Sequence, residues 1–322
     1  MINVDKIFDE YTKGAYEGVL YGDIKDEKFN IQYGIDLDKK IAIGGVTKLF
    51  TVTCILRLIE NKKLIFDSKL PTFLSSDECK GLCNYKGTDY SESITLRDLL
   101  FQTSGLPDYY NFAVKPQIAR GDVKYTFDDK LEWTKELNGV SKPGKNSYYS
   151  NMNADLLARI VEKVTGKNII DVYKEYIFTP LNLKNTYIPE NDKVYIPTIM
   201  HEGKIIKRVS LLNSSMGSGG IISTSRELMK FIKAFFNGWL FDEGLLKKLM
   251  DFSSIENGIP NTLYGGGLMK IKSKRNIIGH MGYTGAFAFA DPDKKAFFVG
   301  YLAVDGVQQV LPKMLQEIFE KV

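Results

Sequence analysis

The segment KIAIGGVTKLFTVTCILRLIENKKL, residues 40–64, constrains the fold more than any other. Leu49, Val52, Ile55, Leu56 and Ile59 recur at helical spacing, and Val46, Phe50 and Cys54 carry apolar character around the rest of the cylinder. A helix with so little polar face cannot lie on a surface. It has to be enclosed between layers, and the chain on both sides must supply them. Two features interrupt its start: the pair Gly44-Gly45, and Lys48 one turn further on.

The flanking sequence supplies such layers. Residues 2–12 form an amphipathic helical pattern, and YEGVLYGDIKD and EKFNIQYGIDL read as a β-hairpin. Residues 65–262 are mostly helical or loop-like. SITLRDLLFQTSGLPDYY gives a capped helix ended by Ser-Gly and Pro, and MNADLLARIVEKVTGKN an amphipathic helix stopped at Gly166. STSRELMKFIKAFFNG runs from Ser/Thr caps to Gly238. The last sixty residues return to strands. NIIGHMGYTGAFAFADPDKKAFFVGYLAV reads as three, the latter two joined by an Asp-Pro-Asp turn. A final helix carries the stripe Val310, Met314, Leu315 and Ile318. The expectation is an α+β fold. Residues 1–64 and 263–322 together form an antiparallel sheet domain flanked by helices, residues 65–262 a mostly helical inserted lobe, and a cleft lies between them.

Composition narrows the function. The chain has 322 residues, 44% apolar and 25% charged, with a net charge of +4 spread along it. No basic stripe exists that could neutralise a phosphate backbone, so nucleic acid is not expected as a partner. Histidine occurs only at 201 and 280, and no carboxylate or thiolate cluster compensates, so neither a metal site nor a cofactor is expected. Cys79 and Cys83 lack a second pair, Cys54 sits in the apolar helix, and three thiols without a framework favour a reducing compartment. No apolar stretch is long enough to cross a bilayer. The N-terminus lacks a signal-peptide core, which reads as cytoplasmic, an extracytoplasmic site requiring a signal trimmed from the sequence. Nothing fixes an oligomeric state.

Three fragments carry chemistry in a definite order: GGVTK at the head of the apolar helix, YYSN about a hundred residues on, and GHMG at the start of a late strand. With TKLFT, LLFQTSGLPDYY, YSNMNADLLARIVEKVTGK, GSGGIISTSRELMKF and GHMGYTGAFAF around them, the chain resembles the serine β-lactamase and DD-peptidase superfamily, nearest its class C-like branch of D-peptidases and esterases. The resemblance covers nearly the whole chain. It implies a β-lactamase/transpeptidase-like fold and a small-molecule or peptide substrate whose amide or ester bond is cleaved by acyl transfer. It also implies that Lys48 and Tyr149 handle protons, that Asn151 donates to the substrate amide, and that His280, Met281 and Gly282 form the strand edge beside the substrate. The backbone N–H groups of Gly45 and Tyr283 would form the oxyanion hole. Spacing explains the first motif, because positions i and i+3 of S-x-x-K share a helical face.

The departure is at its first letter. Gly45 stands where the resemblance puts the nucleophilic serine. Thr47 lies about a hundred degrees round the helix from Lys48, and Ser150 belongs to another motif. Loss of such a serine costs roughly a millionfold in turnover, so little or no hydrolysis is expected. Either a serine was exchanged for glycine in an active parent, which the intact neighbours favour, or a natural homologue keeps the cleft as a binding site for a peptide or cell-wall fragment. The first history expects Gly45→Ser to restore acylation. A third reading has a water in the vacated space, activated by Lys48 and Tyr149. A histidine at 280 in place of lysine holds a substrate carboxylate weakly, which favours peptidase or esterase specificity over a penicillinase.

Overall fold

The N-terminal hairpin forms from Gly18–Ile24 and Glu27–Tyr33. It is closed by Lys25 and Asp26 at φ of +51° and +71°, the double left-handed conformation that suits a two-residue hairpin turn. The computed structural model describes residues 2–118 and 120–322. The hairpin does not stand alone. Gly18–Ile24 pairs antiparallel with Ala296–Leu302, with Tyr21 opposite Val299, so both ends of the chain join one sheet. From the hairpin edge its order is 27–33, 18–24, 296–302, 286–291, 278–281, 269–271 and 262–264, and each adjacent pair is antiparallel. The fold is the expected α+β, β-lactamase/transpeptidase-like arrangement.

The sheet is covered on both faces, and the alternation along its strands shows how. Phe287, Phe289, Phe298 and Leu302 face one way, into a cluster with Val4 and Phe8 of helix Ile2–Thr12 and Leu311, Met314, Leu315 and Ile318 of helix Val307–Phe319. Ala286, Ala288, Ala290 and Val299 face the other way, into the main core. That row of alanines makes a smooth surface on which helix Ser225–Phe236 lies. The sequence groups this helix with the 65–262 stretch, yet its stripe of Leu228, Phe231, Ile232 and Phe235 packs on the sheet.

The apolar helix runs Thr47–Glu60 behind this layer. Every residue from Thr47 to Leu56 is buried. Phe50 stacks on Phe231 with ring centroids 3.7 Å apart and also meets Tyr173 and Phe178 edge-on. Helix Asn151–Thr165 covers its far side. A short ladder, Ile41–Ala42 with Ile222–Ser223, pins its entry, and a single 3-10 turn at Gly44–Val46 leads in. Gly44 needs its glycine, since φ is +50° there.

Phe50 joins these layers, so Phe50→Ala is expected to cost about 3–5 kcal/mol in urea unfolding at unchanged slope. A loss under about 1 kcal/mol would mean that the layers are not closed around this ring.

Candidate functional site

The first turn of the enclosed helix carries Lys48 into the interior, leaving it 3% exposed. Its Nζ donates to Asn151 Oδ1 at 2.9 Å and to the Ser218 carbonyl at 2.8 Å. Burial pushes the ammonium down to about 8, against the pull of the Asp155 and Asp108 charges. Nζ also lies 5.2 Å from the centroid of the Tyr149 ring. The amine, the phenol ring and the carboxamide, a hundred residues apart in sequence, therefore meet in space.

Tyr149 is held through its backbone. Its N–H donates to Asn257 Oδ1, and its carbonyl accepts from Asn257 Nδ2 at 2.9 Å. Its ring stands edge-on to Tyr264 at 5.8 Å. Burial, then the Asp108 charge, raises its phenol above the ordinary range, so it keeps its proton at neutral pH. Asn151 opens helix Asn151–Thr165 and bridges two charged groups. Its Nδ2 donates to Asp108 Oδ1 at 3.3 Å while Oδ1 faces Lys48. A carboxylate only accepts and an ammonium only donates, so the amide has one orientation.

Asp108 is the residue that sequence reasoning missed. It is 8% exposed, accepts from both the backbone and side-chain nitrogens of Asn151, and burial lifts its carboxyl above the usual range. The only signal was its place in LPDYY, three residues beyond a helix-ending Ser-Gly. The Ser218 carbonyl could not have been found, since a backbone acceptor leaves no trace in side-chain identity. Deeper in, Asp155 pairs with Lys130 at 2.8 Å and accepts from Tyr109 Oη at 2.7 Å.

The two alternative hydroxyls are committed elsewhere. Ser150 caps helix Asn151–Thr165 and donates to the Pro107 carbonyl at 2.7 Å. Thr47 Oγ1 accepts from the Ile221 N–H and is fully buried.

His280 lies in strand Ile278–Met281 and is 1% exposed. Burial and the Lys48 charge push its imidazole down to about 3, so it is neutral. Nδ1 lies 2.8 Å from the Met281 carbonyl, which can only accept, so Nδ1 carries the proton and Nε2 faces the Tyr264 hydroxyl at 3.4 Å. Behind the strand, Gly282 presses on the helix entry. A Cβ on Gly282 would stand 2.6 Å from the Ile43 carbonyl oxygen and 3.0 Å from the Gly45 nitrogen. The contact is equally close from the other side. A Cβ on Gly45 would stand 2.6 Å from the Met281 carbonyl oxygen and 3.1 Å from His280 Cε1. The space a side chain at 45 would begin from is filled by strand backbone and the imidazole edge. That obstructs the simple Gly45→Ser restoration.

Gly45, Lys48, Tyr149, Asn151, His280 and Tyr283 line one cavity of about 400 Å³. Asp108 and Tyr110 share its wall, and the Tyr110 and Tyr283 rings lie 6.1 Å apart. Among the described residues no three His, Cys, Asp or Glu side chains gather as metal ligands, and no helix is long and apolar enough to cross a membrane.

Known proteins resemble this arrangement. The D-amino acid amidase from Ochrobactrum anthropi SV3 superposes with a TM-score of 0.85 at 20% identity, covering 99% of this chain and 100% of that one. The D-aminopeptidase of Brucella anthropi is 25% identical over 254 residues, 76% of this chain and 45% of the relative. The D-alanyl-D-alanine-carboxypeptidase/endopeptidase AmpH of Escherichia coli K12 is 26% identical over 204 residues, 62% of this chain and 50% of the relative. The chain thus spans half or less of these curated relatives' length. The sequence profile named Beta-lactamase matches residues 4–319, nearly end to end, and the chain belongs to that family.

Proposed function

We propose that this chain is a non-acylating member of its family that binds a small amide, of the D-amino acid amide or short-peptide kind, in the cleft lined by Lys48, Tyr149 and Asn151. The observation that carries the reading is the missing hydroxyl at position 45 together with the closed space beside it. Acyl transfer needs a nucleophile within reach of the lysine, and Gly45, Thr47 and Ser150 supply none. Recognition needs less. Asn151, ordered between Asp108 and Lys48, keeps one Nδ2 hydrogen for a ligand carbonyl, and Gly45 and Tyr283 line the same cavity. The names of the relatives suggest the ligand class. The neutral His280 speaks against a strong carboxylate clamp.

Intact-mass measurement after incubation with a fluorescent penicillin is expected to find no adduct, while calorimetry with D-phenylalanine amide shows saturable binding that Asn151→Ala weakens about tenfold, a hydrogen bond's worth. An acyl adduct on the unaltered chain would sink the proposal.

Gly45→Ser is expected to lose about 1–3 kcal/mol of stability, as overpacking does, and to gain no measurable hydrolysis of a p-nitrophenyl ester. Rapid acylation at the new serine with an undiminished melting temperature would show instead that the site is an intact hydrolase lacking one atom.

The depressed Lys48 sets a pH dependence. Between about 8 and its ordinary value of 10.5 the folded chain binds fewer protons than the unfolded one, so stability rises with pH across that window. Lys48→Met, free of this penalty, is expected to exceed the parent in stability at pH 7 and to lose that advantage by pH 10.5. A gap between the two that does not change with pH would refute the depressed value.

A further inference from the structure

Lys48 is a proton-transfer group with no hydroxyl to act on, and its surroundings equip it for another reaction. Its amine has two acceptors, Asn151 Oδ1 and the Ser218 carbonyl, both within 2.9 Å. Asp155 and Asp108 act on it through charge alone, without a hydrogen bond. A neutral amine satisfies both acceptors with its two hydrogens and keeps its lone pair free. The amine lines the same 400 Å³ cavity as Tyr149, whose ring it faces at 5.2 Å. The apolar side chains Ile255, Ile259, Met269 and Val304 line other parts of that cavity. A desolvated lysine amine in such a cleft is the arrangement that reacts with carbonyl compounds.

We propose that Lys48 is a carbonyl-reactive amine that forms a reversible imine with small, largely apolar aldehydes or ketones entering this cavity. Nζ attacks the carbonyl carbon and a C–N bond forms. The carbonyl oxygen takes a proton from the Tyr149 hydroxyl, and the nitrogen returns one to the phenolate. The second nitrogen hydrogen leaves with that oxygen as water, and a C=N bond remains. Hydrolysis reverses every step, so no oxidant, reductant or second enzyme is required. This activity shares the cleft with amide binding but goes beyond it, because the Lys48 amine and not the Asn151 amide makes the bond.

The lowered basicity of Lys48 sharpens the expectation. At pH 7 a group of pKa about 8 holds a free-base fraction on the order of a hundredfold above that of an ordinary lysine. Treating the full chain with acetylacetone, which traps a lysine imine as a stable vinylogous amide absorbing in the near ultraviolet, is expected to place a single early adduct on the Lys48 peptide. The rate should rise with a midpoint near pH 8, and Lys48→Met, checked for cooperative melting, should lose the adduct. The pH profile of the unaltered chain stands even if that variant folds poorly. Labelling confined to surface lysines, or a Lys48 rate that climbs only through the ordinary lysine range, would overturn the proposal. Amide binding is read separately by calorimetry, so either reading can fail without the other.

Discussion

Enclosing the helix Thr47–Glu60 on every side takes Lys48 out of water along with its apolar neighbours. An ammonium so placed loses hydration worth several kcal/mol, and the protein meets that cost in two ways. It supplies two oxygen acceptors at hydrogen-bond distance, and it lets the amine give up its proton more readily. Neither carboxylate nearby is allowed to pair with it directly. Asp155 is occupied by Lys130 and Tyr109, and Asp108 by Asn151 and Asn111. A direct ion pair would have raised the lysine back towards its ordinary range and made it useless as a base or a nucleophile.

The rest of the cleft is organised around that arrangement. Asn151 can face Lys48 with its oxygen only because Asp108 holds the other end of its amide. Helix Asn151–Thr165 delivers Asn151 at its first position, with Ser150 capping the turn from below. One helical turn further, Asp155 projects from the same helix into the buried ion pair that underlies the site. A short run of sequence therefore provides the cap, the amide and the counter-charge, and its register follows from 3.6-residue periodicity.

Periodicity also explains how much of this fold is legible in the sequence. The enclosed helix, the hairpin, the Gly166 stop at φ +71° and the three late strands are all patterns written in apolar spacing and turn residues. The three motif fragments were legible because side-chain identity carries their chemistry. Strands Thr262–Tyr264 and Met269–Ile271 were not singled out, being three residues each and too short for an alternation to show. Helix Ser225–Phe236 is legible as a helix but its partner is not, since an amphipathic stripe says that a surface is covered and not by which layer. Asp108 and the Ser218 carbonyl escaped for a related reason. Their roles depend on where loops return, which local pattern does not encode.

The contact between Gly45 and the strand Ile278–Met281 bears on how this chain relates to hydrolases of its family. Deleting a side chain from a rigid interior leaves a void, and surroundings relax into it only in part. Where a Cβ on Gly45 would sit there is no void. The Met281 carbonyl oxygen lies 2.6 Å from where a Cβ would sit, the His280 ring edge 3.1 Å, and Gly282 meets the Ile43 carbonyl from the opposite direction. Backbone groups on both sides have closed to a separation that only two glycines permit. Such mutual fit makes glycine at both positions part of how the strand and the helix entry pack. Burial and the Lys48 charge keep His280 neutral beside this contact. Its Nδ1–H donates to the neighbouring Met281 carbonyl, and a charged lysine in its place would add a second buried cation beside Lys48 without a partner.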